Sequence, residues 1–243
     1  MTVTHVGDGA QSSSATLTGA YPALPAALAA GDLMLCTVLG FDNAVGTPVV
    51  VTPTGWNLIA TKWVPTNTLH RHLYYSMWWK MASTSEVPEL WTFPASLRAG
   101  YPFHWNIMIK AFRGLPYPGL VSDVTSDAAL VTTTPAIPAG PTLTQTGFMV
   151  CGSASDQSNQ TFDTANGYTL DIEPVSSIAT LSSGHAFLDL VPPGVAPVPR
   201  WQMAVPAGGR AWASINFAFG SLPPTQPGWR HGRHIIGAQG GWG

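Results

Sequence analysis

The sequence predicts an all-β chain, a jelly-roll-like antiparallel β-sandwich built from two degenerate half-repeats and followed by an extended C-terminal arm. Three observations lead there. Of 243 residues only 10 are Lys or Arg and 12 are Asp or Glu, too few to coat the solvent side of long helices. The 25 glycines and 22 prolines are scattered through the whole chain and divide it into short elements. Where apolar residues recur regularly they do so at every second position, the period of a half-buried strand. A hydrophobic content of 45% is enough for a sizeable core.

The elements follow in chain order. Leu33 to Leu39 is apolar on both faces, as expected of a central strand covered from both sides. Leu69 to Lys80 alternates, with Leu69, Leu73, Tyr75, Met77 and Trp79 toward the core. Its other face carries His70, His72, Tyr74, Ser76, Trp78 and Lys80, a mixture suited to solvent or to a partner. Phe103 to Phe112 places Phe103, Trp105, Ile107, Ile109 and Ala111 on the apolar side, and His104, Asn106, Met108 and Lys110 opposite. Ala211 to Phe219 repeats the pattern with Ala211, Ala213, Ile215, Phe217 and Phe219 inward.

The two halves echo one another. Leu33-Met34-Leu35-Cys36 returns as Phe148-Met149-Val150-Cys151, and Gly55-Trp56-Asn57-Leu58 as Gly167-Tyr168-Thr169-Leu170. Ile109 to Gly114 returns as Ile215 to Gly220. The units run over about 12–114 and 128–220, which reads as two interlocked half-sandwiches sharing one core across residues 1–220. From 221 to 243 the texture changes to Pro- and Gly-rich sequence without periodicity. Trp229, Ile235, Ile236 and Trp242 there are costly to leave in water, and Arg230, His231, Arg233 and His234 add positive charge, so the segment reads as an arm that docks on a partner.

Little of the sequence points to catalysis. Gly152-Ser153-Ala154-Ser155-Asp156 lacks the spacing of a nucleophile elbow. His185 and Asp189, four apart on a strand, are about 13 Å apart and cannot hydrogen-bond there. Glu86 and Glu89 read as ordinary solvated carboxylates. His70 and His72 could start a zinc site, with His104 as third ligand if the strands were adjacent; the expectation is solvent-face or interface histidines and no metal. Cys36 and Cys151 are expected as buried free thiols. No dinucleotide, phosphate-loop or calcium-loop motif is present, so no cofactor is expected. A formal charge of −2 gives no field for nucleic acid, and no apolar run is long enough for a membrane helix. The start of the chain lacks secretory features, which implies synthesis in a cytoplasm. Ten tryptophans suit subunit interfaces, or alternatively a glycan-stacking face formed by Tyr74 and Trp78 beside His70 and His72.

The order of Gly31-Asp32-Leu33, Pro53-Thr54-Gly55-Trp56, the Tyr74-Tyr75 strand and Ala111-Phe112-Arg113-Gly114 resembles a group of tailed-bacteriophage virion proteins with lectin-like or jelly-roll modules, over about residues 12 to 221. The second half departs from the pattern, with Thr146-Gly147-Phe148 in place of Gly-Asp-Leu and Ala218-Phe219-Gly220 at its close. The resemblance implies a non-enzymatic structural component of the virion, made in the host cytoplasm. A capsid decoration or head- or tail-associated accessory protein is expected, with other virion proteins as partners and homo-oligomerisation. The alternative is a carbohydrate-binding, host-recognition module of a tail or fibre.

Overall fold

The computed structural model describes residues 2–14, 18–42, 50–65, 72–93, 104–115, 119–131, 138–155, 160–163, 167–172, 182–203 and 210–220. The predicted arm, with Trp229, Arg230, His231, Arg233, Ile235, Ile236 and Trp242, lies outside these residues, as does His70. Among the described residues every regular element is a strand. The first half contains β1 Thr4–Asp8, β2 Ser12–Ser14, β3 Gly19–Ala20, β4 Leu33–Asp42, β5 Asn57–Pro65, β6 His72–Met81, β7 Trp91–Thr92 and β8 His104–Arg113. The second contains β9 Thr125–Val131, β10 Thr142–Leu143, β11 Gly147–Ser155, β12 Gln160–Asp163, β13 Thr169–Ile172, β14 Ser182–Val191, β15 Gly194–Val195, β16 Arg200–Met203 and β17 Arg210–Gly220.

The pairings make an antiparallel sandwich. One large sheet runs β1-β8-β4-β6-β5, with β2 also on β8; the other runs β9-β17-β11-β14-β13. These are the same strand order, position for position, so each half of the chain builds one whole sheet. Each half therefore supplies one layer of the sandwich, and the two layers share the core between them. β5 packs against β9 and β17, and β6 against β17, which sets the β5 edge of the first sheet over the β9 edge of the second.

Register settles which faces meet. Leu33 pairs with Phe112, and Phe148 with Phe219, so Phe112 corresponds to Phe219 rather than to Ala218 as the sequence comparison suggests. A shift of one residue exchanges the faces of a strand. Accordingly Trp105, Ile107 and Ile109 do not face the opposite sheet; they join Met34, Cys36, Val38 and Tyr74 in a second core on the outside of the first sheet. Phe112 faces inward with Leu33, Leu35, Tyr75 and Met77, against Phe148, Val150, Phe187, Ile215 and Phe217. A third core covers the outside of the second sheet, around Met149, Cys151, Ala186 and Ala218. When both faces of a strand are covered, counting apolar residues cannot say which face looks at the other sheet.

The outer layers are pinned by the residues that repeat. Gly55 and Gly167 both adopt left-handed backbone (φ 90° and 78°), a turn that favours glycine, and each sends the next aromatic residue down onto its sheet. Trp56 then donates its indole N–H to Glu89 Oε2 (2.9 Å), and Tyr168 its hydroxyl to the Pro197 carbonyl (2.6 Å). Each bond ties the connection that follows β6 or β14 to the turn before β5 or β13.

The motif pair Gly31-Asp32-Leu33 and Ala111-Phe112-Arg113-Gly114 is one lock. Asp32, 2% exposed, accepts the Ala29 amide (2.8 Å) and a two-pronged contact from Arg113 (Nε 2.8 Å, Nη2 2.7 Å). In the second half the paired positions are Gly147 and Gly220, so both charges are missing together. Burial pushes the Asp32 carboxyl up, but the Arg113 hydrogen bonds, the Ala29 amide and the guanidinium charge outweigh it and hold it below the ordinary value. A depressed folded-state pKa adds stability above the ordinary carboxylate range, which is lost as pH falls through that of the folded state. Asp32→Ala is expected to lower unfolding free energy by about 1–3 kcal/mol at neutral pH, with a smaller deficit in acid, read by denaturant titration at both pH values.

Between the sheets, the buried His185 Nε2 lies 3.1 Å from Thr37 Oγ1 and 3.5 Å from the Tyr75 hydroxyl, a polar bridge from β14 to β4 and β6. Gly152 makes room for it, since a Cβ there would run into the Tyr75 hydroxyl and lie 2.8 Å from Met77 Sδ. Gly152→Ala is expected to cost about 1–3 kcal/mol through overpacking, measured as a fall in chemical-denaturation midpoint.

Candidate functional site

The face expected to meet a partner or a glycan is covered. His72 is 8% and Tyr74 2% exposed, and Trp78 is half-buried. His72 lies against Trp63, with ring centroids 4.8 Å apart; Trp78 donates to Ser76 Oγ (2.9 Å) and meets Trp91 edge-on. Burial pushes the Tyr74 hydroxyl up against the lowering effect of hydrogen bonds with Ser76 and Thr61. The expectation of an exposed face here fails because the connections around Trp56, Trp91 and Phe93 fold over it.

The other candidates separate as well. β4 lies between β6 and β8, and register pairs His72 with Asp42 and His104 with Phe41, successive positions of β4, so the two histidines are on opposite faces of the sheet and do not share a metal ion. Among the described residues no three His, Cys, Asp or Glu side chains gather as metal ligands. His185 keeps company with Thr37 and Tyr75, whereas Asp189 accepts the Val3 amide (2.7 Å). Cys36 and Cys151 are both buried and neither is in a disulfide; they lie on the outer faces of opposite sheets. Burial drives the Cys151 thiol up despite its contact with the Tyr168 hydroxyl, which disfavours the thiolate form.

Glu86 and Glu89 are not the separate solvated carboxylates expected from their Pro-containing connection. Lys80 Nζ bonds both, at 3.0 Å each; Glu86 also accepts the Ser83 amide and Glu89 the Trp56 indole. Burial opposes the charges on Glu86 and Lys80, but the Ser83 amide and Lys80 hold the Glu86 carboxyl below its usual range, and the hydrogen bonds to Glu86 and Glu89 raise Lys80. The cluster fastens residues 83–89 to the C-terminal end of β6 as a platform.

On this platform sits the surface that sequence reasoning missed. β3 and β7 pair with Gly19 opposite Thr92 and Ala20 opposite Trp91, and Val51 bridges to Thr92. Alternation turns Ala20 and Trp91 into the outer core and leaves Tyr21, Leu90 and Val51 outward, at 63%, 47% and 60% exposure. Leu58, on β5 opposite Trp78, and Val87, in the connection after β6, are exposed as well. An open groove of about 430 Å³ is lined by Leu24, Pro25 and Leu28 together with Ser83, Thr84 and Ser85. Two-residue strands carry no periodic signal, so nothing in the sequence distinguishes Tyr21 or Leu90 from a core residue.

No protein-family model, no curated protein and no solved structure matches this chain.

Removing the Lys80 ammonium strands the Glu86 carboxylate, whose side chain is only 6% exposed. Lys80→Met is therefore expected to destabilise the protein by about 1–3 kcal/mol at pH 7. Because the Glu86 pKa is depressed, its contribution is present above the ordinary glutamate value and vanishes as pH falls through that of the folded state; the raised Lys80 contributes until pH climbs through its own. Melting temperatures of both proteins between pH 3 and 7 should converge at the acid end.

Proposed function

We propose that the protein is a non-enzymatic structural component of a bacteriophage particle, a capsid decoration or other virion accessory protein that acts by binding neighbouring subunits. The observation that carries this reading is the outward apolar face of Tyr21, Val51 and Leu90, mounted on a layer pinned from below by Trp56, Lys80 and the two glutamates. Rigid apolar side chains with few charges around them are what a subunit contact uses, because little ordering entropy is lost on association. The motif order resembling tailed-phage virion proteins supports the same assignment, as do two buried thiols, which suit assembly in a reducing host cytoplasm. Residues 221–243 serve in this reading as an additional docking segment with apolar anchors. The glycan-binding alternative is less favoured, since His72 and Tyr74 are buried and Trp78 is half-buried.

Tyr21→Ser with Leu90→Ser tests the assignment. Both positions are exposed, so stability should change by no more than about 0.5 kcal/mol each. Self-association in sedimentation, or co-purification at fixed stoichiometry with intact particles, should drop sharply. Unimpaired incorporation of the double variant, or absence of the wild-type chain from purified particles, would count against the proposal.

A further inference from the structure

A bulge in β1 turns two polar side chains to one side of the strand. Thr4 stands opposite Arg113 and His5 opposite Phe112; the register then slips by one residue, which sets Gly7 opposite Ala111 and Asp8 opposite Lys110. In a regular strand His5 and Asp8, three apart, would point to opposite faces, and the extra residue brings them to the same one. Gly7 takes φ 148° there, backbone that favours glycine. The shared face looks into the sandwich, since His5 lies against Phe112 and Phe187 with ring centroids 5.3 and 6.1 Å apart.

Asp8 meets two groups on that face. His5 Nε2 is 2.8 Å from Oδ1, and Lys110 Nζ is 3.5 Å from Oδ2. Lys110 precedes the core residue Phe112 by two positions on β8, shares its inward face, and has a fully buried side chain. The ion pairs of Lys80 and Arg113 close to 3.0 and 2.7 Å, and both of those cations are partly exposed. Lys110 differs on both counts: it is out of solvent, and its nitrogen stands in van der Waals contact with the carboxyl group rather than drawn up onto one oxygen. An ion pair of that geometry recovers little of the cost of taking its charges out of water. Burial raises the Asp8 carboxyl, but the His5 hydrogen bond and the charges of Lys110 and His5 outweigh it and hold it below the ordinary value, so the resting pair is ionic.

We propose that Lys110 and Asp8 condense to an intramolecular amide, a covalent modification that joins β1 to β8. Lys110 first passes one ammonium proton to Asp8 Oδ2, a step assisted by burial, which penalises both charges. The freed Nζ lone pair attacks Cγ, and the electrons of the Cγ–Oδ1 double bond move onto Oδ1, where the His5 Nε2–H holds the developing charge. A second proton passes from nitrogen to Oδ2, the Cγ–Oδ2 bond breaks with its electron pair going to oxygen, and the Cγ–Oδ1 double bond re-forms as water departs. The three ammonium protons end as one on the amide and two in the water, so no oxidant, reductant or further reactant is required. Groups fixed in contact react as if at concentrations of about 10⁵–10⁸ M, which stands in for chemical activation of the acid. The Asp8 side chain is 30% exposed, which gives the water a way out. The product closes a loop from residue 8 to residue 110 and fixes the first strand to its sheet with neither charge left to bury.

The test is the intact mass of the full chain, denatured after purification, followed by tryptic mapping. The protein should be lighter than its sequence by one water, and peptides 1–62 and 99–113 should be recovered joined through Asp8 and Lys110, uncleaved after Lys110. Lys110→Met, which fills the same space without an amine, should restore the full mass. His5→Phe, which keeps a ring on Phe112 and Phe187, should slow the appearance of the joined form by about a hundredfold in chain sampled during cell-free synthesis. A full mass in the folded wild-type chain overturns the proposal. So does a water lost within the linear peptide 1–62 alone, which marks a succinimide at Asp8-Gly9, and so does an unchanged rate in folded His5→Phe. If Lys110→Met fails to fold, the peptides of the wild-type chain decide alone. Particle incorporation is not read by this experiment, so its outcome is independent of the assembly role.

Discussion

Each of the two sheets must bury both of its faces, and most of the molecule's other features follow from that requirement. One face of each meets the other sheet; the second is covered by the chain's own connections. Those connections cannot be bare loops, because a layer lying on a sheet must bring apolar side chains to it and satisfy its own backbone. Hence the short pairs β3·β7 and β10·β15, which supply a little ladder and drop Ala20, Trp91 and Leu143 into the outer cores. Covering so much strand surface also explains the low charge, since few positions are left for solvated side chains.

The same requirement explains what the internal repeat retains. The glycine turn followed by an aromatic residue survives in both halves because each outer layer needs a pin that starts at the turn and reaches the following connection. Trp56 does this by bonding a carboxylate and Tyr168 by bonding a carbonyl, so the geometry is kept while the chemistry differs. The Asp32–Arg113 lock shows the opposite outcome. A lone buried Asp or an unpaired neighbouring charge would be costly, so the pair is either present as a unit or replaced as a unit, here by two glycines in register. Gly147 in particular packs where a Cβ would meet Leu143 and Ala218, which shows that the second half closes this space by contact.

Divergence between the halves is also where the surface acquires character. The first half has a longer lead-in before its central strand, and that extra chain supplies Leu24, Pro25 and Leu28 to the groove and carries the outward Tyr21. At the β1 edge an opening is floored by Phe112, Phe148 and Phe187. Neither feature is demanded by the sandwich, whose own contacts are complete without them.

Strand identity was legible in the sequence because a half-buried strand must alternate, and the repeat because equivalent turns need glycine at equivalent places. Leu73, Tyr75 and Met77 on one side of β6, and Ala213, Ile215 and Phe217 on one side of β17, face the opposite sheet as the alternation requires. Alternation by itself determines which residues share a face, not what covers that face. For β8 the more apolar side, Trp105, Ile107 and Ile109, turned outward, and for β6 the side carrying His72 and Tyr74 was buried rather than presented. Register across β4 and the path of distant connections decided both, and these are set by pairings between residues far apart in the chain. The Lys80 cluster, the Tyr21 and Leu90 surface and the Asp8–Lys110 contact likewise join residues whose proximity has no local signature, so only the tertiary structure could bring them together.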